Sequence, residues 1–281
     1  MTLERPDRVN WSTLKHILIS PKHYRHAVEI AGKKLDAEDS AALQLGRLTH
    51  CAVYEPDHLA SRYVTEPNFH RGMLDDTARA KGYDGGKGAA AEWDLANTGR
   101  EVVTTEMMAL ARAMRLAVLE DGASGPLMCD GYTEYKIEWR DDITGIECRG
   151  RLDHVNGCLS DLKTTRSLLS FERDAARLNY HAQLAWYADG LEAIGIQPAG
   201  PPRIVAVENV PPHDVLVLNF TEEDLACGRR LYRRALNTLA FCRANDQWPG
   251  IAAGCERRIQ LPAWATAQDI ALTIDGEELE M

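Results

Sequence analysis

The chain has no apolar run near the ~20 residues needed to cross a bilayer, and Met1 to Pro6 carry no apolar signal core. A soluble, cytoplasmic protein with no membrane partner is the expectation. Its seven cysteines are odd in number and scattered, and no two stand at Cys-x-x-Cys spacing, which argues against a disulfide framework and against zinc. Positive charge is also short. The formal net charge is −10, whereas affinity for duplex DNA comes largely from neutralised phosphates. Indiscriminate coating of nucleic acid is therefore excluded, and DNA binding would need a basic groove on an acidic body. Lys22, His23 and Arg25, the pair Arg149 and Arg151, and the cluster Arg229, Arg230, Arg233 and Arg234 are candidates for such a groove.

What is present suffices for a core. Hydrophobic residues make up 45% of 281 positions, and no composition shift or repeat divides the chain, so one domain is expected. It reads as a helical N-terminal part to about residue 125, a catalytic core over about 126–245, and a C-terminal tail over about 246–281. The Gly-rich segment Lys81–Gly88 suggests a mobile loop. Helical spacing appears over Trp11–Ile19, from Pro21 past Tyr24, over Ala37–Tyr54 and over Thr104–Leu119. The middle then alternates with period two over Tyr132–Trp139, Ile146–Val155 and Cys158–Thr164. A helix over Tyr180–Ile194, strands Arg203–Asn209 and Val215–Phe220, and a long helix Glu222–Arg243 complete the pattern. Strands flanked by helices imply an α/β fold with a central mixed sheet.

The most informative stretch is Arg149 to Thr165. Asp161 and Lys163 are two apart on one strand and so project to the same face. A carboxylate that can hold Mg²⁺ beside a fixed ammonium suits phosphodiester hydrolysis. An Asp-x-Lys triplet alone is common, and strand-end Asp and Lys are usually solvated. Gly150-Arg151-Leu152-Asp153, eight residues upstream of Asp161, makes the triplet specific.

Together these residues resemble the PD-(D/E)XK nuclease superfamily, and within it the RecE-like (exodeoxyribonuclease VIII type) exonucleases. Further landmarks follow in that family's order: Ser20-Pro21 with Tyr24, Leu45-Gly46-Arg47-Leu48-Thr49-His50, Glu134, Tyr180 with Gln183 and Tyr187, and Gln247-Trp248-Pro249-Gly250. The nominal signature has a proline before its first aspartate, where this chain has Leu152.

The resemblance implies a PD-(D/E)XK nuclease-like core and a Mg²⁺-dependent deoxyribonuclease, with Mn²⁺ able to substitute. It would degrade one strand of duplex DNA 5′ to 3′ from an end, leaving a 3′ strand for a RecT-like single-strand annealing protein in recombination. Asp153, Asp161, His50, Glu134 and the Leu162 carbonyl would hold the metal, and Lys163 would position the water. Gln183, Tyr187, Tyr180, Thr164 and Arg151 would meet DNA. Processive relatives form homo-oligomeric rings, which would let topology substitute for raw affinity in so acidic a chain. Some related nucleases hold an iron–sulfur cluster through four cysteines, but Cys242 and Cys255 lack matching N-terminal partners, so no iron–sulfur cluster is expected. A structure-specific or restriction-like endonuclease on the same core is the alternative, as is a catalytically silent DNA-binding protein.

A register argument adds one local expectation. A two-residue turn at Asn156-Gly157 would pair Asp153 with Ser160 and turn Asp161 to the opposite face. A shared metal site therefore requires a three-residue loop or a bulge, with Gly157 at positive φ.

Overall fold

Five strands form one mixed sheet in the computed structural model of the chain, which describes residues 8–32, 40–256 and 258–261 and the backbone of a short hairpin, Leu272–Ile274 with Glu277–Leu279. The strands are β1 (Tyr132–Arg140), β2 (Glu147–Asn156), β3 (Cys158–Thr165), β4 (Arg203–Glu208) and β5 (Val215–Asn219). They lie side by side in sequence order, and only β3 and β4 are parallel. That parallel step needs a crossover, and the helices between β3 and β4, Phe171–Arg177 and Tyr180–Ala193, supply it.

Alternating side chains give the sheet two apolar faces. Leu159, Ile204 and Ala206 join a core with Trp186, Leu191, Tyr232 and Leu236, which come from α3 (Tyr180–Ala193) and α4 (Glu222–Asn245). Leu162, Val205 and Val207 face a second core with Leu48, Ala52, Met114 and Val118. Those residues belong to the helices α1 (Ala41–Tyr54) and α2 (Thr105–Glu120), on the other side of the sheet. Hereafter Ala41–Tyr54 is called the site helix.

Helix starts follow local chemistry. The hydroxyl of Ser40 accepts from Leu43 N–H at 3.3 Å, and that of Thr104 accepts from Met107 N–H at 3.1 Å. Thr221 and Asp224 form a reciprocal capping box at the head of α4. Where α4 crosses α3, a Cβ on Gly228 would stand 2.3 Å from the His181 carbonyl oxygen, so no larger residue fits that approach.

The predicted helices and strands recur within a few residues, with differences that have physical causes. The first helix is α-helical only over Trp11–Leu14 and tightens to a 3₁₀ turn over Lys15–Leu18. Lys81–Gly88 joins the helix Asp75–Ala80 to the helix Lys87–Ala96 and includes the first two residues of the latter. Oδ1 of Asp75 fixes it by accepting from the amides of Gly86 at 2.8 Å and Ala89 at 3.1 Å. A parallel strand pair, Tyr63–Thr65 with Glu101–Val103, was not foreseen. Of the proposed basic cluster on α4, Arg229 pairs with Asp189 and Glu222, and Arg233 with Asp141, so both serve packing within the protein. Two distant landmarks meet: the Tyr24 ring stacks on Trp248 at 6.1 Å, and Lys22 N–H donates to the Pro249 carbonyl at 3.1 Å. The expected tail lies partly outside the described residues.

Candidate metal centre at a fork in the sheet

The hairpin β2–β3 pairs His154 with Ser160, Val155 with Leu159 and Asn156 with Cys158, so that Gly157 alone stands at its tip. Gly157 stands at φ +61°. This is the shifted register that a shared site requires. Extended one step, it sets Asp153 beside Asp161.

The ladder stops at that step. Beyond His154 and Ser160 the two strands diverge, and the Asp153 side chain fills the opening: its Oδ2 accepts from Leu162 N–H at 2.9 Å. The outer half of β2 turns instead to the N-terminal segment. Val9 bridges Cys148, donating to Glu147 O and accepting from Arg149 N–H, each at 2.8 Å. The wedge between the strands receives α3, whose Trp186 Nε1 donates to Arg149 O at 3.2 Å. On the other edge of β2, the ladder with β1 has a gap where Glu134 faces Asp153. Thr133 and Tyr135 pair normally on either side, while Glu134 adopts φ +50°. A left-handed backbone at a non-glycine residue is strained, and such strain clusters at functional sites.

The site helix brings the third component. His50 Nδ1 stands 3.5 Å from Asp153 Oδ2, and its Nε2 is 2.9 Å from the Leu162 carbonyl oxygen. If Nε2 donates to that carbonyl, Nδ1 turns a lone pair toward a carboxylate, an arrangement that calls for a cation between them. The separations suit one, because neighbouring ligands of an octahedral Mg²⁺ at ~2.1 Å are roughly 3.0 Å apart. His50, Glu134 and Asp153 each place a ligand atom within 4.8 Å of the others. The residues therefore fit a divalent cation, with the Leu162 carbonyl a further oxygen only in the other tautomer, where His50 Nε2 does not donate to it.

Electrostatics support the fit. Burial raises the Glu134 and Asp153 carboxyls above the usual carboxylate range, and each also raises the other or is raised by a neighbouring acid, since Asp153 acts on Glu134 and Asp161 acts on Asp153. Arg151 pairs with Glu134 and offsets its negative charge. Acids crowded this closely are stabilised in their charged form by a cation.

Asp161 is placed differently from the expectation that it would join Asp153 and His50 directly. Glu134 completes that triad, while Asp161 is only 1% exposed and has both oxygens engaged within the protein. Oδ1 accepts from Gln183 Nε2 at 3.2 Å, and Oδ2 forms an ion pair with Lys163. Burial opposes the Lys163 charge, yet Asp161 and Asp153 outweigh it and hold the ammonium above its ordinary value. The Lys163 ammonium also lies 4.9 Å over the Tyr180 ring.

The cleft above this constellation has a volume of about 1160 Å³. His50, Glu134, Arg151, Asp153, Leu162, Lys163, Thr164 and Tyr180 line it, as does Gly46 of the site helix. A Cβ on Gly46 would lie 3.9 Å from Thr164 Oγ1. Gln183 and Tyr187 are not among the lining residues. Gln183 also donates to Tyr187 OH at 3.3 Å, and Tyr187 packs on Gly150, where a Cβ would stand 3.0 Å from its ring. Sequence reasoning missed Arg166, Arg177 and Asn209, which also line the cleft. Arg166 directly follows the Thr164-Thr165 pair, the one local signal that could have pointed to it.

A five-stranded mixed sheet, an Asp-x-Lys strand, a second Asp at the fork and a His from an overlying helix define the PD-(D/E)XK nuclease-like class. The chain belongs to the family described as PDDEXK-like domain of unknown function (DUF3799), whose model matches residues 10–260. Among solved structures, the "Putative exonuclease" of Eubacterium rectale is similar over 94% of both chains, with a TM-score of 0.58 and 12% identity. At that identity the likeness speaks for the fold alone. A second, SSO0001, covers 68% of this chain and 85% of its own at 16% identity, with a TM-score of 0.28 too low to carry an argument. No curated protein matches the chain.

Proposed function

We propose that the chain is a divalent-metal-dependent deoxyribonuclease that degrades duplex DNA 5′ to 3′ from an end and leaves a 3′ single strand. The carrying observation is the convergence of His50, Glu134 and Asp153 beside the Asp161–Lys163 pair. Mg²⁺ is the proposed cofactor, with Mn²⁺ as a substitute. His50, Glu134, Asp153 and the Leu162 carbonyl would hold it, and Asp161 would face it from the Lys163 side. When bound, the cation polarises the phosphate and lowers the pKa of its waters.

The protein groups have separable tasks. Lys163, fixed by Asp161, keeps a proton-bearing cation at the floor of the cleft, where it can orient the attacking water or offset charge on a phosphate oxygen. Thr164 offers a hydroxyl, and Arg151 a charge, to the backbone of the bound strand. Tyr180 offers a ring edge beside Lys163. Gln183 and Tyr187 hold Asp161 from behind and reach the strand only if that contact opens. End-directed polarity, a RecT-like annealing partner in recombination and a ring-shaped homo-oligomer rest on the sequence resemblance.

The test uses linear duplexes labelled at the 5′ or the 3′ terminus, with Mg²⁺ or EDTA, beside a covalently closed plasmid. Mg²⁺-dependent release of the 5′ label with the plasmid intact is the expected result. Plasmid cleavage would move the reading to an endonuclease, and inertness toward every DNA with Mg²⁺ or Mn²⁺ would overturn it.

A further inference from the structure

The residue one helical turn beyond His50 has no part in the function above. Tyr54 ends the site helix, four residues on, and so shares a face with His50. Its ring meets the His50 ring edge-on at 5.8 Å. It also lies nearly parallel to the ring of His154, the neighbour of Asp153 in the chain, at 5.8 Å and 11°. His154 is itself anchored, with Nε2 2.7 Å from the Asp130 carbonyl oxygen. Tyr54 is thus lodged between a metal-site histidine and the strand that carries Asp153.

Its hydroxyl is the anomaly. Tyr54 is 7% exposed, and its oxygen has no hydrogen-bond partner among the described residues. A buried hydroxyl without a partner has lost its hydration with nothing in return. Phenylalanine would fill the same space without that loss. The phenol carries a proton to donate. The carboxylates of Asp153, Asp161 and Glu134 are its charged neighbours, but none of them is its hydrogen-bond partner. The missing partner must therefore be small, accept a hydrogen bond, and sit between Tyr54 and the carboxylates. A water in the shell of a divalent cation meets all three conditions, because Mg²⁺ sheds its waters reluctantly.

We propose that Tyr54 is a positioning residue of the metal centre, its hydroxyl donating to a water carried by a cation at His50, Glu134 and Asp153. This rests on the metal reading of the site. The hydroxyl would fix that water, and through it the set of the carboxylates, without touching the DNA or the cation. Outer partners of this kind govern metal affinity at many sites.

The test is Tyr54→Phe in the full chain, read by Mn²⁺ titration calorimetry and by thermal melting in EDTA. Mn²⁺ affinity should fall about tenfold or more. The melting temperature in EDTA should stay the same or rise, because the substitution removes only an unpartnered polar group. Unchanged affinity would overturn the proposal. A lower melting temperature in EDTA would also overturn it, by showing that the hydroxyl serves the fold. If the unmodified protein binds no Mn²⁺, the metal reading itself has failed, which is a different result.

Discussion

Gln183 donates through Nε2 to Oδ1 of Asp161 at 3.2 Å, while Lys163 takes the other oxygen. The carboxylate is thereby gripped from an α3 side chain and from its own strand. The amide that sequence reasoning assigned to DNA is already committed inside the protein.

That commitment separates two kinds of effect. Gln183→Ala should lower kcat about tenfold or more, the loss of one hydrogen bond to a charged group being worth about 1.5–3 kcal/mol. Duplex affinity measured in Ca²⁺ should change less than about twofold. If affinity falls and kcat holds, Gln183 touches the strand instead.

Asp161→Asn and Lys163→Ala should each reduce nucleotide release about a thousandfold or more, as expected when several kcal/mol of transition-state stabilisation is lost. Their stabilities should differ. Lys163→Ala leaves the Asp161 charge almost fully buried without its cation, a loss of about 3 kcal/mol or more. Asp161→Asn keeps the shape and removes the charge, so urea midpoints should rank it well above Lys163→Ala. Equal midpoints would mean that the Asp161 charge does not depend on Lys163 for its burial.

Gly157→Val should lower stability by about 1–2 kcal/mol, since a branched side chain resists φ +61°. The Gly157 carbonyl also accepts from Ala199 N–H, so the path of the turn is fixed from outside the hairpin. Activity should drop further than stability alone explains, because the register that sets Asp153 beside Asp161 depends on this loop. Activity measured at a temperature where the variant is fully folded checks it.

Asp141 does not line the cleft, and it should contribute to acid tolerance. It is 3% exposed, and its carboxylate accepts from Thr144 N–H at 2.9 Å, from Thr144 Oγ1 at 2.6 Å and from Arg233. Burial alone would raise this acid, but Thr144 and Arg233 more than offset it and hold it below its ordinary value. A depressed folded-state pKa means the unfolded chain binds the proton more readily. The stabilisation is therefore present above about pH 4 and is lost as pH falls through the lower folded value. Asp141→Asn should flatten that acid limb in melting curves between roughly pH 5 and pH 2, and an unchanged limb would remove Asp141 from it.

Much of this was legible in the sequence because it is local. Period-two alternation marked β1 to β5, and Gly157 with the same-face requirement specified the hairpin register. The pairing of Glu134 with His50 and Asp153 was legible only through the family pattern, since a left-handed residue inside a strand leaves no mark in alternation. Long-range contacts explain the other misses. Asp75 orders a glycine-rich segment that composition reads as loose, and Asp189 and Asp141 claim arginines that a helical wheel leaves in solvent. Tyr54 entered the sequence reading only as the end of a helix, and only the isolation of its buried hydroxyl distinguishes it.

The amide of Leu162 is tied to the Asp153 carboxylate, whereas its neighbours toward the turn are tied to a strand. Its exchange with deuterium therefore follows the position of one side chain and not the opening of a ladder. Any ligand that draws the carboxylate away would speed exchange at this single proton while leaving the hairpin protected. The fork thus supplies a built-in isotopic reporter, able to tell occupancy of the site from a general change in the protein.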